Sequence, residues 1–196
     1  HEATEQTGAR DPVSWLVFLG SLGISFVGLV ALESSQVFGA RAGSRWLSLP
    51  TMIAVGMGLH NLGEGLAIGA SYASGEYTLS LLLVAGFGLH NGTEGFGIVG
   101  AAGKQPMSGR DVLLLGLISG LPTCVGTFLS GQGVSSYFSI CFYSLAAGSL
   151  LYVVLSLTAM SYTATRRVQV AAGMFAGIAI MYLTAMLLTL VSGVRS

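Results

Sequence analysis

Pro50–Tyr72 reads PTMIAVGMGLHNLGEGLAIGASY, and thirty residues after its centre the same pattern returns. Gly56–Gly69 is GMGLHNLGEGLAIG and Gly86–Val99 is GFGLHNGTEGFGIV, so that His60 aligns with His90, Asn61 with Asn91, Glu64 with Glu94 and Gly65 with Gly95. Each copy lies inside an apolar run long enough to cross a bilayer, which takes roughly 20 residues as a helix. Within a helix, His and Glu four residues apart point to one face, and the Asn borders that face.

Four further apolar runs flank these two. The six are Val13–Leu32, Pro50–Tyr72, Thr78–Ala102, Val112–Ser130, Ser136–Met160 and Val168–Val191, joined by short polar linkers. Hydrophobic residues make up 53% of the 196 and charged residues only 8%, with a mean hydropathy of +0.77. A soluble domain carries about 25% charged residues, and a chain this poor in charge could not cover its own surface in water. The expectation is an all-α polytopic membrane bundle of six transmembrane helices in one domain, with the lipid bilayer as its surroundings. Eight basic and eight acidic residues balance with no basic patch, which argues against a nucleic-acid partner. The polar start, HEATEQTGARDP, is not a signal peptide, and either further chain upstream of it or a processed or trimmed form is expected.

The basic residues predict an orientation. Arg41 and Arg45, Lys104 and Arg110, and Arg166 and Arg167 fall in three loops on one face, whereas the other face holds only Arg10 and Arg195. The positive-inside rule then puts those three loops in the cytoplasm and both termini on the non-cytoplasmic side. The many glycines read as places of close helix approach. Pro122, inside the fourth run, is read either as a kink or as a device that frees a carbonyl near a polar pathway. Cys124 and Cys141 lie in apolar runs and read as packing residues.

Of three histidines, two are the motif histidines, and Glu64 and Glu94 are the only acids placed deep inside a run. A charge at the bilayer centre costs about 2.5–3.5 kcal/mol on insertion scales. A divalent cation between the two carboxylates would remove that burden, and two His with two Glu supply four ligands, enough for tetrahedral Zn²⁺. The bland alternative is that His and Glu bond each other across the helix pair with no metal. Asn61 and Asn91 are read as oxygen ligands, as supports for the ligands, or as caps of backbone groups. The expected metal site is therefore His60, Asn61, Glu64, His90, Asn91 and Glu94.

HNLGEG and HNGTEG resemble the paired HNxPEG-type signatures of the ZIP (Zrt-, Irt-like) family of divalent metal transporters. The resemblance implies that the six runs are similar to the last six of eight family helices. It also implies that zinc, iron, manganese or a related ion such as cobalt or cadmium is the transported substrate, usually into the cytosol. Zinc comes first among them. His60, Glu64, His90 and Glu94 would form the main site, with Asn61 and Asn91 bordering a second that shares the two glutamates. In the family the metal-bearing helices are thought to slide against a scaffold of the others. Gly63 and Thr93 stand where the signature has proline. LISGL (Leu117–Leu121) is followed by Pro122, Thr123 and Cys124 where the family often reaches a glutamate, and Ser156 and Leu157 stand where many relatives carry acids. With those acids missing, one tightly held ion is expected rather than two. No substrate to be cleaved is marked and no HExxH pairing is present, so the chain is not expected to be an enzyme. The alternative is a membrane-embedded zinc-dependent hydrolase using the same His and Glu residues, and a homodimer is an admissible assembly.

Overall fold

A computed structural model describes residues 11–34, 49–103, 106–133, 135–162 and 167–192. They form six helices: α1 (Pro12–Ser34), α2 (Leu49–Ala73), α3 (Tyr77–Ala101), α4 (Gly109–Gly131), α5 (Ser136–Ser161) and α6 (Arg167–Ser192). No strand occurs among the described residues. The helices coincide with the six apolar runs to within three residues at each end. α1, α4, α5 and α6 are long and apolar enough to cross a membrane by length and composition. α2 and α3 are equally long but carry the polar His, Asn and Glu of the motif. Of the basic residues used to orient the chain, Arg110 and Arg167 are described; Arg10, Arg41, Arg45, Lys104, Arg166 and Arg195 lie outside the described residues.

Local chemistry sets two boundaries that hydropathy alone misplaces. α4 begins three residues before its apolar run because Ser108 and Asp111 form a capping box. Ser108 Oγ accepts the Asp111 N–H at 3.2 Å while Asp111 Oδ2 accepts the Ser108 N–H at 3.0 Å, satisfying two donors left open at a helix start. The turn between α2 and α3 is short, with Glu76 N–H bonded to the Ser71 carbonyl and Gly75 at φ +80°. Only glycine takes that backbone geometry without strain, and it folds α3 back along α2.

The packing explains much of the glycine. Along α2, Gly58, Gly65 and Gly69 meet the carbonyls of Ile118, Thr123 and Thr127 of α4, and Gly126 of α4 meets the carbonyl of Leu62 in return. A side chain at any of them would collide with backbone, so the two helices touch main chain to main chain. Close approach of this kind supplies the dispersion contacts that replace the hydrophobic effect between helices in lipid. Gly148 of α5 does the same against Leu22 and Ser25 of α1. The contacts advance in the same chain direction along each pair, so α2 with α4, and α1 with α5, run parallel. Asp11 ties the start of the second pair: its Oδ2 accepts from Tyr137 at 2.6 Å and from Ser14 at 3.1 Å.

α2 is the central helix, with fourteen of its 25 residues buried. Gly56 and Gly63 seat it on α5 at Tyr152, Val153 and Ala146, and Met57 and Ile53 lie in the apolar core with Tyr152 and Ile98. α6 touches the rest mainly through α3. Its large apolar side chains, Val168, Phe175, Ile178 and Tyr182 among them, are exposed, which suits lipid and not water.

Candidate metal centre

The turn of α2 from His60 to Glu64 is helical without interruption, and so is that of α3 from His90 to Glu94. The tight Gly75 turn lays the two copies antiparallel, so that their motif faces oppose. Glu64 is the deepest member, with its side chain 6% exposed, against 21% for His60, 14% for His90 and 20% for Glu94. Glu64 Oε1 lies 2.5 Å from His90 Nε2 and 3.5 Å from His60 Nε2. Glu64 Oε2 accepts the Asn91 amide at 2.8 Å. Glu94 Oε1 approaches His60 Nε2 at 4.0 Å.

His60, Glu64 and His90 each offer a ligand atom, and these atoms all lie within 4.8 Å of one another. Tetrahedral Zn²⁺ with bonds near 2.0–2.2 Å sets its ligands roughly 3.4 Å apart. The His60–Glu64 separation matches that, whereas the His90–Glu64 hydrogen bond would open by about 1 Å to admit an ion. Glu94 stands next to the group through His60. The direct His90–Glu64 bond also fits the bland alternative in which His and Glu satisfy each other.

Four buried atoms of this cluster have no hydrogen-bond partner: His60 Nδ1, Asn61 Oδ1, Asn91 Oδ1 and Glu94 Oε2. Three of them are oxygens, and their residues line one end of a cavity of about 230 Å³ that passes Ser119 and Leu115 between α3 and α4 toward Met107. Buried polar atoms are normally bonded, so these unpartnered oxygens leave acceptor capacity beside the cavity that a cation or a hydrogen-bond donor would satisfy.

The substituted motif positions have local explanations. Thr93 donates its hydroxyl to the His90 carbonyl at 2.7 Å, and Gly63 is the face of α2 that packs on Ala146. Thr123, where the resemblance leads to a missing glutamate, is not among the residues lining the cavity. Its hydroxyl is buried without a partner, while its carbonyl packs against Gly65 and accepts from Thr127. Ser156 donates to Glu33 Oε2 at 3.2 Å, so an acid does stand beside that position, contributed by α1. Ser119 was not singled out by its sequence: its part is a backbone carbonyl that accepts Asn61 Nδ2 at 3.0 Å, a contact that only packing creates. No protein-family model, curated protein or solved structure matches the chain.

Proposed function

We propose that this chain carries divalent metal ions across a membrane, zinc first among them, through the site built from His60, Glu64, His90 and Glu94 with Asn61 and Asn91 beside it. The observation that carries the reading is the convergence of two histidines and two glutamates inside a bundle of membrane-length helices, next to a cavity. Soft enough for zinc through its imidazoles, this donor set also admits iron, cobalt, manganese and cadmium. The likeness of both motifs to ZIP signatures points the same way, as does the packing. α2 and α4 form one tight pair and α1 and α5 another, and the two pairs meet where Gly56 and Gly63 of α2 sit against Tyr152, Val153 and Ala146 of α5, the interface at which one pair would move against the other in this reading. In this reading the α1–α2, α3–α4 and α5–α6 connections face the cytosol, both termini face away from it, and uptake is inward.

The test is metal flux into proteoliposomes loaded with a fluorescent chelator, with Zn²⁺, Fe²⁺, Mn²⁺, Co²⁺ and Cd²⁺ supplied in turn. Flux that is lost in a His60→Ala, His90→Ala double variant supports transport. Hydrolysis of a substrate without flux would point to a metal-dependent hydrolase, and binding without either to a sensor. Both outcomes would refute the proposal.

A further inference from the structure

The two copies of the motif differ three residues before their histidines, where Met57 stands in α2 and Phe87 in α3. Residues three apart on a helix share a face, so each is placed beside the histidine that follows it. Met57 is buried in the apolar core, and its methyl group lies 3.1 Å from where a Cβ on Gly97 would be. Phe87 is half-buried and meets His90 edge to face, with ring centroids 5.4 Å apart and planes at 73°. That is a favoured geometry for two aromatic rings.

The torsion that turns an imidazole about its Cβ–Cγ bond is broad, so the plane of a ligating histidine is set by what touches the ring. The usual restraint is a hydrogen bond from the second ring nitrogen. His60 lacks it: Nδ1 is buried with no partner, and Nε2 lies 3.5 Å from Glu64 and 4.0 Å from Glu94. His90 is bonded through Nε2 to Glu64 Oε1. That bond does not orient the ring once an ion is present, because Nε2 and Oε1 are then both ligand atoms and have to move apart. The Phe87 contact lies within α3, one turn from the histidine, and does not depend on that bond. The two motif histidines, equivalent in the repeat, are thus unequal in what holds them.

We propose that Phe87 is a positioning residue of the metal centre: its ring fixes the plane of the His90 imidazole, so that His90 is the preorganised ligand and His60 the one that adjusts to the ion. The proposal rests on the metal-transport reading and deepens it. An arriving ion meets one imidazole already in place and draws in the other, so only half of the histidine pair has to be ordered on binding.

The test is Co²⁺ affinity of the purified protein in nanodiscs, read from its visible spectrum. Phe87→Leu keeps an apolar side chain and removes the ring, and should weaken binding about two- to tenfold, the value of one edge-to-face pair. Phe87→Tyr keeps the ring and should bind as the wild type does. Added to His60→Ala, Phe87→Leu should cost the same factor again; added to His90→Ala it should cost nothing further, since a residue acting through His90 has no effect once His90 is gone. Equal further losses in both backgrounds, or a Phe87→Tyr as weak as Phe87→Leu, would overturn the proposal, because a general loosening of α3 gives those results. The second readout is the spectrum of ¹³C-labelled imidazoles. Phe87→Leu should remove a ring-current shift from His90 and leave His60 unmoved, with and without Zn²⁺; a His90 signal that does not respond refutes the contact. Should Phe87→Leu not fold, the wild type decides: nuclear Overhauser contacts between the Phe87 and His90 rings should persist when Zn²⁺ is added, and their loss refutes the positioning. A wild type that binds metal and fails these tests refutes the positioning alone, whereas one that binds no divalent metal removes the transport reading as well.

Discussion

Gly65→Ala places a methyl group where α2 and α4 are in backbone contact. The new Cβ would lie 2.8 Å from the Thr123 carbonyl carbon and 2.9 Å from the Thr127 nitrogen, with the Thr123 oxygen closer still. All three atoms belong to the helix backbone, so no side chain can swing aside. Ordinary contact begins at 3.4 Å, and clearing the Thr123 oxygen, the nearest of the three, separates the helices locally by more than about 1 Å. Overpacking of this kind costs about 1–3 kcal/mol. At roughly 2–4 °C per kcal/mol for a chain of this size, the melting temperature should fall by about 2–12 °C. The shift also reaches the site: the Asn61–Ser119 bond, one turn away at 3.0 Å, would lengthen to about 4 Å, which is no longer a hydrogen bond. Gly92→Ala is the control. A Cβ on Gly92 meets nothing within 4 Å, and alanine favours helix over glycine by up to about 1 kcal/mol. Thermal unfolding followed by size-exclusion in detergent measures both. Equal melting temperatures for the two variants would refute the close-packed seam.

Glu64→Gln should be the most damaging single change at the site, because Glu64 contacts His60, His90 and Asn91 together; removing a charge about 4 Å from a dication at an effective dielectric near 20 predicts a loss of affinity of at least about a hundredfold, and calorimetry showing a larger loss for Glu94→Gln would reverse this ranking. Metal binding should weaken as pH falls through about 6.5, the ordinary histidine value, since protons and metal compete for the imidazoles; equal affinities at about pH 7.5 and 5.5 would show that the histidines are not ligands. At the other end of the bundle, the Tyr137 hydroxyl, aided by the Val13 N–H and Ser14, holds the Asp11 carboxyl below its ordinary 3.8. A lowered folded-state value stabilises the fold above pH 3.8 and is lost as pH falls through the lower value, so the difference in melting temperature between wild type and Tyr137→Phe should shrink in that range; a constant difference down to about pH 2 would refute the clamp. Metal analysis of purified protein should give one tightly held ion, because two carboxylates balance one dication and not two, and Thr123→Glu should raise the count only if its side chain can reach the cavity.

Helix number, helix type and the identity of the motif were legible in the sequence because each is a local property. An apolar run of membrane length leaves its backbone no alternative to a helix, and a duplicated HNxxEG on adjacent runs puts like residues on like faces. The start of α4 was legible too, in the Ser108–Asp111 spacing, though hydropathy outweighs it in a reading by apolar runs. What tertiary structure alone decided is which groups meet. The sequence makes Asn61 and Asn91 equivalent, yet the fold ties one to the Ser119 carbonyl and the other to Glu64. It treats Gly58, Gly65 and Gly88 alike, yet two press on α4 and the third touches nothing. The acid that the motif's resemblance leads one to expect near Ser156 is missing from that helix, and Glu33 arrives there from α1. Pairing of this kind depends on which helix faces which, and in a uniformly apolar surround hydropathy carries no information about that choice. It is settled by where two backbones can approach without a side chain between them, and by which polar atoms then find each other.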